Sequence, residues 1–461
     1  MKQILSIITA FTLSFSVVAQ NPVGVWEGKL NVTPTVPLRL VIEIEQEGET
    51  YSSKLISVDQ GNIIIPCTNT TIENDTLTTT FTMIGAQYRA TIDNEKLSGT
   101  FTQSGKQFPL IMTKAENGQT TKINRPQTPK APYPYNIEEV TFTNESEGNT
   151  LSGTLTTPKT NEETPAVVLV SGSGSQNRDS EIFNHKPFWV IADYLSRNGI
   201  AVLRFDDRAV GKSSSAKAEA TTQEIAYDAE AAMEHLRKRG DFSHVGVIGH
   251  SEGGLIAFLL AGESEYKTPD FIISMAGCGI RGAEILTYQT DYELNQIEIR
   301  ESEAQSAKAL NRAIFDIILE SKELNTEVAE KIKEVLEGST PANTDKEVAQ
   351  EQIANVVKRM TNEWMYNFIK FDPTPTIKNI KCPVLAINGS IDRQVEAKTN
   401  LKAIESALEI GGNNQYEVVE YEGLNHLLQK AESGSVAEYG EIEETINTVV
   451  LTKLANWIKT L

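Results

Sequence analysis

Residues 245–254 read Val-Gly-Val-Ile-Gly-His-Ser-Glu-Gly-Gly. A short apolar run ends in Gly249-His250-Ser251-Glu252-Gly253, and an apolar helical pattern follows from Leu255 through Leu260. This is the G-x-S-x-G turn in the setting it requires, a strand bending sharply into a helix. Gly249 and Gly253 let neighbouring backbone approach closely, and the bend lifts the Ser251 hydroxyl into the open at the strand's end. A serine hydroxyl is a weak nucleophile until a base takes its proton. The reading therefore demands a histidine and a carboxylate elsewhere in the chain.

Five histidines are present: His185, His235, His244, His250 and His426. Behind such an elbow the acid comes next in the chain and the histidine last, and only His426 lies beyond Ser251. It follows a predicted strand over 415–421, where a loop can return it over the serine. His250 is the variable position beside the nucleophile, His235 lies in a charged helical segment and His244 precedes the elbow strand. For the acid, Lys381–Gly389 reads as a buried strand ending in a glycine turn, with Ser390-Ile391-Asp392 after it. A carboxylate there accepts the imidazole Nδ1–H and holds the useful tautomer. Asp392 is the choice, Glu396 is the nearest rival, and a simple turn-forming aspartate is the plain alternative.

Ala166–Val170 is wholly apolar, suited to a central parallel strand, and runs into Ser171-Gly172-Ser173-Gly174-Ser175. Glycine-rich backbone after such a strand can aim N–H groups at a developing oxyanion. The expected pair is the N–H of Ser173, or of Gly174, with that of Glu252 in the elbow.

From about Val140 onward the chain resembles the esterase D type of bacterial α/β-hydrolase, over roughly 320 of the 461 residues. The matching stretches, in the family's order, are SGSGSQNRD (171–179), HKPFWVIADYLSRNGIAVLRFDDRAVGKSS (185–214), GHSEGG (249–254), CPVLAINGSIDRQV (382–395) and GLNHLLQ (423–429). The resemblance implies hydrolysis of carboxylic esters with short acyl chains, a small-molecule substrate, catalysis by Ser251, Asp392 and His426, and no cofactor. Two positions depart from the pattern. Ser171-Gly172 stands where many relatives carry His-Gly, and Ala209 replaces the first glycine of a D-R-G-x-G-x-S turn; both bear on the acyl pocket and neither on the triad.

At 461 residues the chain exceeds what one core usually supports, so two domains are expected. Its formal charge of −20 argues against nucleic acid or an anionic membrane as a partner. Residues 1–19 read as a signal peptide: Lys2, an apolar and hydroxyl stretch from Ile4 to Val18, and a small-residue cleavage site at Val17-Val18-Ala19. Export to the periplasm or beyond is expected, an N-terminal anchor being the alternative. No later apolar run reaches the ~20 residues a bilayer span needs. Cys67, Cys278 and Cys382 are scattered and read as three buried thiols, and no spacing suggests a metal.

Residues 20–115 carry about eight strand-like segments with turn signals between them, predicting an all-β accessory domain, either barrel or sandwich. The mouth of a barrel is a place for a ligand; a packed accessory domain is the plainer reading. Residues 116–136 form a proline-rich linker by composition. The catalytic domain is expected over 137–461, opening with a hairpin and alternating strands with helices into a doubly wound, mostly parallel sheet. Ala283–Lys370 is almost continuously helical in composition and is placed to cap the nucleophile. Trp364, Met365, Tyr366 and Phe368 end that insert and read either as pocket wall or as packing of the cap onto the core. Asp206-Asp207-Arg208 reads as an ion-paired loop organiser rather than a metal or acid–base pair. The functional expectation is a serine esterase. An exported serine peptidase and a ligand-binding protein on a vestigial hydrolase scaffold are the alternatives, and nothing bears on the oligomeric state.

Overall fold

The computed structural model describes residues 21–461, apart from 34–35, 61–62, 94, 104, 116–123, 161, 216, 218–219 and 342–343. The stretch read as a signal peptide, 1–19, lies outside the described residues, as does the start of the linker. The chain divides into two units, Met1–Val32 with Pro37–Lys122 and Thr33–Val36 with Ile123–Leu461.

The first unit contains β1 (Gly24–Thr33), β2 (Val36–Glu47), β3 (Thr50–Ser57), β4 (Ile63–Pro66), β5 (Asn69–Glu73), β6 (Thr76–Phe81), β7 (Ala86–Asp93), β8 (Lys96–Gln103) and β9 (Lys106–Lys114). Their order is β2-β1-β9-β8-β7-β6-β5-β3-β4, and β2 also pairs with β3. Eight strands thus close into a barrel, with β4 hanging on β3, and closure removes the open edges that an antiparallel sheet would otherwise expose. The chain turns at Cys67 and Thr68, which makes β4 and β5 two separate strands. Alternation does the sorting: in β7, Ala86, Tyr88, Ala90 and Ile92 point inward while the residues between them are exposed. Trp26, Leu77, Phe81, Tyr88 and Phe101 fill the interior, and the Tyr88 hydroxyl donates to the carbonyls of Leu97 and Leu110. The barrel is packed with side chains.

The second unit is built on an eight-stranded sheet of β10 (Tyr135–Asn144), β11 (Asn149–Pro158), β12 (Thr164–Val170), β13 (Ala201–Phe205), β14 (Phe242–His250), β15 (Ile272–Met275), β16 (Val384–Gly389) and β17 (Tyr416–Tyr421). The order is β10-β11-β13-β12-β14-β15-β16-β17. β10 and β11 are antiparallel, and from β13 to β17 every pairing is parallel. The helices are α1 (Pro187–Arg197), α2 (Thr222–Arg239), α3 (Glu252–Gly262), α4 (Gly282–Leu294), α5 (Glu301–Glu320), α6 (Thr326–Ser339), α7 (Lys346–Met360), α8 (Glu363–Lys370), α9 (Thr374–Asn379), α10 (Ala397–Ile410), α11 (Val436–Tyr439) and α12 (Thr448–Ile458). Local signals set their ends: Thr221 and Glu224 form a capping box before α2, and Gly240 closes it in the left-handed region.

The wholly apolar run of β12 is explained by burial on both faces. Val168 and Val170 pack with α2, α3 and α10, whereas Val167 and Leu169 pack with α1 and α12. The chain leaves β12 toward β13 on one side and later returns to β14 on the other. That switch point opens a crevice at the carboxyl ends of β12 and β14. Between β15 and β16, α4–α8 form an insert with its own core, including Ile314, Phe315, Ile318, Val328, Ile332 and Ile369. Residues 124–134, read as linker, include contacts within this unit: Arg125 donates to the carbonyls of Phe183, Gly440 and Ile442, and Gln127 to that of Ile446. The three cysteines are free; Cys278 is buried, but Cys67 and Cys382 are only half-buried, so the expectation of three buried thiols holds for one. No described helix is long and apolar enough to cross a membrane.

Candidate active site

Ser251 sits between β14 and α3 with φ 58° and ψ −120°, a conformation costly for a residue with a Cβ. The glycines around it are required by contact. A Cβ on Gly249 would lie 1.9 Å from the Gly253 carbonyl oxygen, and one on Gly253 would lie 2.2 Å from that of Val170. The N–H of Ser251 donates to the Met275 carbonyl on β15 at 2.9 Å, which ties the turn to the sheet.

Asp392 follows β16 and His426 follows β17, two neighbouring parallel strands, so both emerge at the same sheet end as Ser251. The Nδ1 of His426 donates to Asp392 Oδ2 at 2.7 Å, with both side chains almost fully buried. The other oxygen of Asp392 accepts the N–H groups of Gln394 and Val395 at 2.8 and 2.9 Å. Glu396, the rival acid, instead caps α10 by accepting the Thr399 N–H. The His426 loop is held by buried Asn425, whose Oδ1 accepts the N–H groups of Leu427 and Gln429.

The glycine-rich loop after β12 meets the elbow through Gly172: a Cβ there would come within 3.0 Å of Ser251 Cβ and 3.6 Å of its Oγ. Ser173 and Gly174 follow in exposed backbone, Gly174 with φ 86°. Glu252 opens α3, so its N–H has no carbonyl one turn back inside the helix. Behind the loop, Asp207 accepts the Ser171 hydroxyl and the Gln176 N–H at 2.9 Å. Burial pushes its carboxyl up to about 7. Arg208 is ion-paired, as its sequence reading had it, to Asp228 at 2.7 Å and to Glu147 at 3.0 Å. Arg178 binds Asp206 and Glu139, and Asp179 binds Arg204 and Lys186.

A cavity of about 370 Å³ brings together Ser173, His250, Ser251, Glu252 and His426 with Trp364, Met365 and Phe368 of α8. Trp364 and Phe368 stack with ring centroids 5.4 Å apart. Tyr366 is not part of this wall. It is buried in the core of the insert, with its hydroxyl 2.8 Å from that of Ser321. Gly174 also lies outside this cavity's lining and borders a neighbouring one. Among the described residues no group of three His, Cys, Asp or Glu side chains is arranged to hold a metal ion.

Two contributions escape a sequence reading. His250, the variable position of the elbow, has its Nε2 2.8 Å from the carbonyl oxygen of His426, and burial drives its ring down to about 4. The Glu252 carboxylate, read only for its backbone, accepts the Thr222 hydroxyl and, at 2.8 Å, the Trp364 indole N–H, while its second oxygen is buried with no partner among the described residues. The only signal for either was adjacency to Ser251.

A family model described as "Serine aminopeptidase, S33" (Hydrolase_4) matches residues 185–433. Esterase EstD of Thermotoga maritima is 26% identical over 310 residues, 67% of this chain, in agreement with the esterase D resemblance; the match spans 66% of that relative's length. Among solved structures, the Pyrococcus furiosus esterase Pf2001 aligns with a TM-score of 0.42 at 18% identity, covering 74% of this chain and 97% of that one. The acylaminoacyl peptidase of Pyrococcus horikoshii aligns with a TM-score of 0.42 at 15% identity, covering 92% and 61%.

Proposed function

The chain belongs to the Hydrolase_4 family, serine aminopeptidase S33, with the α/β-hydrolase fold, and from that premise we propose that it hydrolyses short-chain carboxylic esters through an acyl-enzyme on Ser251. One observation carries the reading: a serine on a strained elbow shares a cavity with the imidazole of His426, whose far nitrogen is bound to buried Asp392. Because Nδ1–H points at the carboxylate, Nε2 is the nitrogen left to act as base.

In the first half-reaction His426 Nε2 takes the Ser251 proton as Oγ attacks the ester carbonyl. The oxyanion is held by the N–H of Glu252 and that of Ser173 or Gly174, with Ser173 favoured because it borders the same cavity as Ser251. The imidazolium, stabilised by Asp392, gives its proton to the leaving alkoxide. In the second half water attacks the acyl-enzyme through the same base, releasing the acid and restoring Ser251. Trp364 and Phe368 wall the substrate. A cavity of about 370 Å³ supports a short acyl chain. Ester rather than amide is supported by the likeness to EstD. The 1–19 pattern supports export of the enzyme.

A second reading is favoured by Glu252: a buried carboxylate oxygen with no partner among the described residues, in the wall beside Ser251, suits a substrate amine and hence an aminopeptidase. The deciding experiment offers 4-nitrophenyl acetate, butyrate and octanoate beside aminoacyl 4-nitroanilides. The esterase reading expects turnover of the short esters that disappears in Ser251→Ala. Turnover confined to anilides supports the peptidase. No turnover of either, with melting shifted by bound esters, leaves a binding protein.

A further inference from the structure

We propose that a second cavity, adjoining the one at Ser251, receives a carboxylate carried at the far end of the substrate's acyl group, so that half-esters of dicarboxylic acids are preferred; this rests on the hydrolase reading above. The cavity, about 550 Å³, lies in the range of small-molecule sites. Trp364 and Met365 line both cavities, and the glycine-rich loop is shared in the same way. Gly172 and Ser173 border the first, Gly174 and Ser175 the second. A group in the second cavity is therefore separated from the nucleophile by one indole and one loop.

The side of the substrate follows from proton transfer. The leaving oxygen must face His426 to be protonated, and no residue of the 424–428 loop borders the second cavity. What reaches it is the acyl portion. Ile225, Trp364 and Met365 offer an apolar wall for the body of that group.

Charge decides what sits at its tip. Lys358 and Arg359, in the last turn of α7, stand at this cavity in exposed positions. Neither side chain makes an ion pair with a described residue. The other charged groups on the wall are already answered. Arg208 is matched by Asp228 and Glu147, and Asp207 accepts from Ser171 and Gln176, its carboxyl pushed up to about 7 by burial. In a chain of net charge −20, two neighbouring cations at this cavity, uncompensated among the described residues, form a local field of the opposite sign, which favours an anion there.

The test compares 4-nitrophenyl 4-carboxybenzoate with 4-nitrophenyl 4-(methoxycarbonyl)benzoate, which share a leaving group and differ in the distal charge. The expected wild-type kcat/KM ratio favours the anionic ester by about tenfold at low salt and shrinks as salt is added. In K358A/R359A the ratio falls to about one, and in K358E/R359E it inverts. A ratio that is the same in all three enzymes, or a wild-type preference for the neutral ester, overturns the inference. Calorimetric binding of the same two esters to Ser251→Ala separates the two readings. Charge-selective binding without wild-type turnover upholds this site and defeats the hydrolase reading, whereas turnover and binding without charge selectivity do the reverse.

Discussion

The ring Nε2 of His250 lies 2.8 Å from the carbonyl oxygen of His426. A carbonyl only accepts, so Nε2 carries the hydrogen and His250 is held as one neutral tautomer. The residue just before the proposed nucleophile thus anchors the backbone of the proposed base, with the two rings 4.8 Å apart. In the proposed mechanism His250 is a positioning residue. His250→Ala is expected to lower kcat by about tenfold to a hundredfold with little change in KM. His250→Gln, which keeps an N–H donor, restores part of the loss. Equal kcat in all three enzymes would remove His250 from the mechanism.

Asp392→Asn keeps an oxygen for the N–H groups of Gln394 and Val395, so the turn after β16 is retained. Its amide then faces His426 Nδ1 as a donor and forces the proton to Nε2, the wrong nitrogen for a base. A drop in kcat of about 10³–10⁴ is expected, with a far-ultraviolet circular dichroism spectrum unchanged from wild type. Retention of full activity would mean that Asp392 does not orient the base.

The strain at the elbow has a measurable sign. Ser251→Gly relieves the positive φ and is expected to raise stability by about 1 kcal/mol while abolishing turnover. Gly253→Ala does the opposite, because its Cβ would press on the Val170 carbonyl at 2.2 Å, a backbone atom that has nowhere to go. A loss of roughly 3 kcal/mol or more, or failure to fold, is expected. Denaturant midpoints of the two variants against wild type give the answer directly, and a stable Gly253→Ala protein would contradict the geometry.

His185 predicts acid lability. It is fully buried, its Nε2–H donating to the Tyr439 carbonyl at 2.9 Å and its Nδ1 lying 2.9 Å from the Thr445 hydroxyl. Burial, aided by the Arg125 charge, lowers its pKa from 6.5 to about 4. A base with a depressed folded pKa contributes its stability in full above pH 6.5 and loses it as pH falls toward 4. The loss is on the order of 3 kcal/mol. Asp207 acts with the opposite sign, its raised pKa costing stability as pH climbs toward 7. Comparing wild type with His185→Gln by urea unfolding at pH 7.5 and 4.5 cancels that common contribution. Wild type should lose more than the variant, and parallel losses would show that His185 is not buried neutral.

Trp364 links the insert to the elbow. Trp364→Phe keeps the stack on Phe368 but removes the indole N–H from Glu252 Oε1, leaving that buried carboxylate with the Thr222 hydroxyl as its remaining donor. A stability loss of about 1–3 kcal/mol is expected, accompanied by a raised KM for esters. Unchanged unfolding and KM would indicate that the contact carries no weight.

Much of the site is legible along the chain because its constraints are local. The elbow must be glycine-flanked whatever surrounds it, as the 1.9 and 2.2 Å approaches at Gly249 and Gly253 make plain. His426 is reached by counting histidines after Ser251, and Asp392 by the turn that ends a buried strand. The strands and helices around them follow from periodicity. The insert's wall was harder to read. Trp364 and Phe368, four residues apart on α8, share a face, whereas Tyr366 between them points into the core of the insert. A run of aromatic residues does not say which way its helix is rotated.

The amino-acid order by itself determined the elbow, the order of its partners, the two kinds of sheet and the position of the helical insert, since each depends on stereochemistry between near neighbours. Only the tertiary structure decided that Gly172 is the loop residue against Ser251, that His250 holds the His426 backbone, that Glu252 grips Trp364, and that the N-terminal strands close into a filled barrel. These contacts join positions scores to hundreds of residues apart. Whether such groups meet is set by strand order and helix rotation, which packing of the whole core selects and no local pattern encodes.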